Sequence, residues 1–365
     1  MTHRERFRAV LEGRQPDRLP WVPRLEIWYD YHTQRGSLPE EYRGWSLDEV
    51  RRSVAAARSG REGVIAVPRH DGSVEVREEW RGDELTRYWV TPVGTVSERF
   101  RQSAYGSDNL MRIEHVIKGL PDYPVVTYIV QHTHFEPTYD DFRRYDEEIG
   151  DEGFPICVIG DIPFHKILRE YIGYNHAYYE LQDHRDEVEA LAEVLSSTHA
   201  QLEQLMLESP ADLFVYGVHF DSQMLPPPVF DKYIVPYYQK LSGQFASRGK
   251  WLAVHQDADA SLLLDSYVEA GIHVADCFAC WPMVPCRFED AVDHWKQSVV
   301  IWGGIPSTLL CPMAATEEEL DEHLDTVWAK TPEGRVILGI ADNVMPEADM
   351  ARVKKIAERI ERLGD

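Results

Sequence analysis

Positive charge is scarce in this chain. Lys and Arg number 38 against 62 Asp and Glu, a formal net charge of −24. That argues against a nucleic-acid-binding protein, because affinity for a phosphate backbone comes from Lys and Arg. It also argues against an anionic membrane surface. Long apolar runs are missing, and none approaches the roughly 20 residues that span a bilayer. The opening MTHRERFRAVLEGRQPDRLP is charged and helical, without the apolar centre of a secretory signal. Cysteine is sparse: the five, at 157, 277, 280, 286 and 311, are odd in number and cluster late. That is no disulfide framework, and a reducing, cytoplasmic setting is the expectation. No GxGxxG follows a strand signal, and no GxxxxGK[ST] loop is present, so nucleotide motifs are absent. Internal repeats and low-complexity tracts are absent as well.

What is present is a rhythm. Residues 1–20 read as an amphipathic helix, followed by strand signals at WVPRLEIW (21–28) and GVIAVPRH (63–70). Residues 75–118 alternate polar with β-branched and aromatic residues around Gly and Pro, the pattern of a small antiparallel insertion. Residues 131–153 fit loop or helix. From residue 155, strands PICVIGDIPF, ADLFVYGVHFD, WLAVHQD, IHVADCFA, VVIWGGIP and RVILGIAD alternate with helical stretches. Among the latter, HRDEVEALAEVLSSTHAQLEQLMLES spaces Val188, Leu191, Val194 and Leu195 at helical intervals. Gly271 reads as a C-cap and Thr316 as an N-cap. Strands alternating with helices imply a parallel sheet. The expected fold is α/β: a (β/α)8 TIM barrel, one domain over residues 1–365, with an N-terminal helical extension and the 75–118 insertion.

Three strand ends carry four metal-competent groups: His255 and Asp257 in VHQDAD, Asp276 in IHVADCF, and Asp342 in ILGIADNV. Strand C-termini of a barrel converge on one face. An imidazole and three carboxylates at one point repel unless a cation or proton sits between them. Each residue also has a plain structural reading. His-x-Asp is common at strand ends, Asp276 can cap a loop or pair with Arg287, and Asp342 opens DNVMP, where an Asx-turn suffices. Cys277 and Cys280 form CFAC, but no second CxxC completes a tetrahedral site, so buried inert thiols are the simpler reading.

Several segments match a known family: ERFRAVLEGRQPDRLPWVP, RYWVTPVGTV, VHQDAD, EAGIHVAD, VVIWGGIPS and VILGIADNVMP. Together they resemble the uroporphyrinogen decarboxylase-like superfamily over essentially the whole chain. That superfamily is a TIM barrel holding true decarboxylases and zinc-dependent methyltransferases that serve corrinoid (cobalamin) proteins. True decarboxylases carry an Arg-rich RQAGRY segment. The matching stretch here is WVPRLEIWYDYH, which keeps one arginine, Arg24. The methyltransferases carry His-x-Cys after one strand and a final Cys after the last, and related methionine synthases add a Glu between. Those places look like His255, Asp257, Asp276 and Asp342, with carboxylates where the two thiolates stand in relatives.

The resemblance implies a metal-dependent methyltransferase. It would move a methyl group from a small methylated donor to the Co(I) of a corrinoid protein, with zinc or another divalent metal as Lewis acid. An oxygen and nitrogen ligand set is harder than a thiolate set and suits an oxygen substrate, hence an aryl methyl ether. Candidate proton donors to the leaving oxygen are His219 and Asp221 in GVHFDS and Glu26 at the first strand, with Asp161 in GDIPF a further strand-end acid. Trp28, Tyr29, Phe220 and Phe278 offer an aromatic wall for substrate, or core packing. Some relatives dimerise, and a homodimer is the matching expectation. The competing readings are a metal-independent decarboxylase, whose mark would be arginines at the mouth, and a non-catalytic corrinoid-binding barrel.

Overall fold

The computed structural model describes residues 1–102 and 110–364. The chain gathers into two compact units: residues 1–63, 140–160 and 210–365, and residues 64–139 and 161–209.

The first unit holds six parallel strands. They are β1 (Cys157–Gly160), β2 (Leu213–Val218), β3 (Trp251–His255), β4 (Val274–Phe278), β5 (Val300–Pro306) and β6 (Arg335–Ala341). Among themselves they pair with their sequence neighbours, in the order β6-β5-β4-β3-β2-β1. Such strands are covered on both faces and read as unbroken apolar runs; LFVYGV of β2 and VIWGGIP of β5 are buried at every position. The hydrogen bonds continue past both edges. Val22 N–H donates to Leu338 O at 2.8 Å and Leu338 N–H to Pro20 O at 2.9 Å, while Ala57 N–H donates to Trp21 O at 2.9 Å. Gly63 N–H donates to Ile156 O at 3.1 Å and Ile156 N–H to Gly60 O at 2.7 Å. Segments 20–22 and 57–63 are thus the two remaining staves of an eight-membered ring, the TIM barrel expected.

Helices follow the strands in turn. Val235–Ala246, Leu264–Ala270, Phe288–Trp295, Glu317–Lys330 and Met350–Gly364 all lie in this unit. Gly271 ends its helix at φ 71°, a left-handed cap that glycine reaches without a Cβ penalty. Thr316 forms a capping box with Glu319. The N-terminal helix His3–Leu11 buries Phe7, Val10 and Leu11. Phe7 stacks on Phe154 at 4.9 Å and meets the edge of Trp302 at 4.8 Å, joining a core with Val215, Ala253, Val274, Val300 and Ile337.

The WVPRLEIW expectation is corrected. Only residues 20–22 join the ring, and helix Glu26–Arg35 begins directly after. Pro20 and Pro23 lack the N–H that a longer strand would need. Gly36, at φ 62°, caps the helix end.

In the second unit, strands Glu75–Arg81, Glu84–Thr91, Gly94–Gln102 and Leu110–Glu114 form an antiparallel sheet in sequence order. This is the expected insertion; its residues 103–109 lie outside the described residues. GVIAVPRH is also a strand in part. Ala66–His70 pairs antiparallel with Thr133–Pro137, within the stretch left open between loop and helix. The helix of that stretch, Tyr139–Ile149, belongs to the first unit from Asp140 onward. Helix Arg185–Glu208 buries Val188, Leu191 and Leu195, the spacing expected of it.

Candidate functional site

Strand register assembles the site. Asp276 stands opposite His255 in the β3–β4 pair, and Val218 stands opposite His255 in the β2–β3 pair. His219 follows Val218, and its N–H donates to His255 O at 2.8 Å. One strand end at the site is bulged. In β4, Asp276 pairs with Trp302 and Phe278 with Gly303, which leaves Cys277 as the extra residue at φ 54°. A bulge of this kind re-aims side chains next to a site. His219 also has φ 54°. Such backbone in a non-glycine residue costs on the order of 1–3 kcal/mol and persists only where its surroundings hold it.

His255 is the hub. Its Nδ1 lies 3.1 Å from Asp276 Oδ2. Its Nε2 lies 3.5 Å from Asp257 Oδ2 and 3.5 Å from Asp342 Oδ1. Asp257 Oδ1 is 2.6 Å from His219 Nδ1. The three carboxylates singled out in the sequence are therefore gathered around the fourth candidate, the His255 imidazole.

Two arginines join them. Arg61 donates through Nη1 and Nη2 to both oxygens of Asp276, at 2.7 and 2.5 Å, a bidentate pair. It also sits over Trp302, 5.6 Å from the ring centre. Arg24 pairs with Asp342 and lies 3.5 Å from Cys277 Sγ. Arg61 was not among the sequence candidates. Its signal is the pair of glycines around it. A Cβ on Gly60 would meet Phe154 O at 2.0 Å, and one on Gly63 would meet Ile156 O at 2.5 Å, so this stave presses against its neighbour.

The electrostatics follow from burial and pairing. Burial pushes the Asp276 carboxyl up, but Arg61 and His255 overcome that and hold its pKa well below the usual range. Burial likewise opposes Asp257, which His219 and His255 hold well down. His255 is the reverse case. Burial would lower its pKa, yet Cys277, Asp257 and Asp276 hold it well above the ordinary imidazole value. Two guanidiniums and an imidazole whose charged form is favoured thus face three carboxyl groups.

Among the described residues, two sets of donor atoms lie mutually within 4.8 Å: His219, His255 and Asp257, and His255, Asp276 and Cys277. The first set fits a divalent cation, because two imidazoles and a carboxylate are a borderline-hard donor set. In the second set both oxygens of Asp276 are taken by Arg61. Asp276 instead has the placement of a carboxylate that orients a ligating histidine through its other ring nitrogen. Asp342 shares its Oδ1 with Arg24 while facing the same His255 nitrogen.

The other candidates are placed differently. Asp221 accepts the N–H groups of Gln223, Met224 and Asp259 at 2.8, 3.1 and 3.3 Å, which makes it a loop cap. Glu26 is the first residue of its helix, where Oε1 accepts from Ser59 Oγ at 2.8 Å, and no partner reaches Oε2 among the described residues. Trp28 is buried against Tyr42, and Tyr29 donates to Trp45 O at 2.7 Å. Phe220 packs on Phe230 and Phe278 on Trp295, both fully buried in core. Arg287 pairs with Glu289 rather than Asp276. All five cysteines are unpaired, and Cys280 is buried with its thiol on Gly304 O.

The family model of uroporphyrinogen decarboxylase (URO-D) matches residues 129–363, more than half of the chain. Among solved structures, a methyltransferase from Methanosarcina mazei superimposes with a TM-score of 0.53 at 11% identity, covering 100% of both chains. No curated protein matches. No helix among the described residues is long and apolar enough to cross a membrane.

Proposed function

Because the chain belongs to the uroporphyrinogen decarboxylase family, we propose that it is an enzyme of the methyl-transfer kind within that fold. It takes a methyl group from a small methylated donor, preferably an aryl methyl ether, and passes it to a corrinoid protein in a reducing cytoplasm. The observation that carries this reading is the compact His219–His255–Asp257 donor set at the ends of β2 and β3. The likeness of fold to a methyltransferase supports it. Zinc or another divalent metal, when bound there, supplies Lewis acidity at the donor's heteroatom.

The chain's own residues prepare that position. Asp276 accepts His255 Nδ1–H and so aims Nε2 toward Asp257. Arg61 fixes Asp276 in turn. His219, half-exposed and held by Asp257 at 2.6 Å, completes the donor set. The absence of thiolates from the His219–His255–Asp257 set favours an oxygen donor over a sulfur one.

The decarboxylase reading gains one observation, the two arginines Arg24 and Arg61. Both are already paired, to Asp342 and Asp276, and neither is free to hold a substrate carboxylate. The deciding measurement is elemental mass spectrometry on protein purified without chelators. About one metal per chain is expected, lost in His255→Ala and Asp257→Ala and weakened but kept in Asp276→Asn. No metal, even after reconstitution with zinc, refutes the proposal.

A further inference from the structure

Asp161 follows β1 directly in the chain, and the methyl-transfer reading does not use it. It belongs to a buried polar array in the second unit. Asp161 Oδ1 lies 2.8 Å from His165 Nδ1, and His165 Nε2 is hydrogen-bonded to the Tyr174 hydroxyl. Arg169 Nε donates to the other oxygen of Asp161 at 2.6 Å. Asp161 is 2% exposed and His165 0%. Burial pushes the Asp161 carboxyl up, but His165 and Arg169 hold it at about 2. Asp161 therefore stays ionised and takes the Nδ1–H of His165, which leaves the Nε2 lone pair as acceptor for the Tyr174 O–H.

This is the logic of a nucleophile, a base and an orienting acid, with a phenol in the nucleophile's place. Arg169 also interacts electrostatically with Tyr174. The backbone is specialised at the same point. Residues Ile167–Ile172 form a π-helix, a rare geometry frequent at functional sites. Gly173, at φ 82°, then starts the helix that Tyr174 opens, and a Cβ there would lie 2.2 Å from His115 Nε2. Tyr174 itself is partly exposed, whereas its two supports are buried.

We infer that Asp161, His165 and Tyr174 form a proton-transfer site that acts on the acidic hydroxyl of a small molecule. The substrate O–H proton passes to Tyr174 Oη as the phenol's own proton passes to His165 Nε2. The products are a substrate oxyanion and an imidazolium beside the Asp161 carboxylate; no electrons are exchanged. The reverse transfer returns both protons. The site does not depend on metal binding at His255.

The test is labelling of the full chain with an aryl sulfonyl fluoride, which esterifies activated phenols with loss of fluoride, followed by peptide mapping. Tyr174 is expected to react ahead of Tyr179, which is 70% exposed. His165→Gln and Asp161→Asn should slow the Tyr174 reaction at least about tenfold, since the base sets phenolate availability. Labelling of Tyr179 ahead of Tyr174 overturns the inference, as does a Tyr174 rate unchanged in His165→Gln. Should either variant unfold, the wild-type ratio of Tyr174 to Tyr179 labelling decides alone.

Discussion

Replacing Arg61 by Met tests how the site is held together. The substitution keeps most of the aliphatic stem and removes a guanidinium that makes two bonds, 2.7 and 2.5 Å long, to a carboxylate with 0% exposure. Asp276 would then be buried with His255 as its remaining partner. Breaking a buried pair from one side costs about 3–5 kcal/mol, because the other charge is left uncompensated. At about 2 cal/mol/K of unfolding entropy per residue, a chain of 365 residues loses roughly 4–7 °C of melting temperature. The Arg61→Met/Asp276→Leu double variant removes both charges and should recover most of that loss. Thermal unfolding followed by circular dichroism reads both variants. A loss under about 1 kcal/mol for Arg61→Met, the range of an exposed pair, would show that water or His255 carries the Asp276 charge and would refute the reasoning.

Three further outcomes are expected. His255 must lose a proton to ligate, and its pKa is held well above the usual value, so metal affinity should rise as pH rises, with about one proton released per ion; calorimetry in buffers of different ionisation enthalpy counts it. His273 Nδ1 accepts the Leu252 N–H at 3.1 Å, and burial, helped by Arg335, lowers its pKa to about 4. The unfolded chain binds this proton first, near pH 6.5, so stability is full above that pH and falls by on the order of 1–3 kcal/mol as pH drops from about 6.5 to 4; a urea-midpoint profile as steep in His273→Gln would count against this. Gly303→Ala puts a Cβ 2.5 Å from Phe278 N at φ 139°, and a loss of at least about 2 kcal/mol in urea unfolding is expected.

Periodicity made the barrel legible. Each of the six strands is an apolar run, and a barrel buries both strand faces. The hub of the site was legible for the same reason: a polar group ending an apolar run stands out, and His255, Asp257, Asp276 and Asp342 all did. Their division of labour was not. Asp276 and Asp257 are the same residue type at similar places, and only the contact with Arg61, 215 positions away, sets them apart. Register was equally hidden: nothing in IHVADCF states that Cys277 is skipped in pairing. Helix Glu26–Arg35 was misread because apolar residues in PRLEIW mimic a strand. Its own signals, an acid in the first turn, basic residues in the last and Gly36 beyond, were present in the sequence.

The N-terminal helix presses Phe7 against Trp302 from below, and Arg61 lies over the same indole. The ring is therefore a cup with a floor rather than a tube. With that end filled, the methyl donor and acceptor proposed above would both approach His255 from the C-terminal face of the strands. Turnover then follows one of two schedules: both partners fit side by side, or the first departs before the second arrives. Initial-rate patterns, intersecting or parallel, would separate these schedules. A bulky acceptor under the second schedule would act as competitor as well as co-substrate.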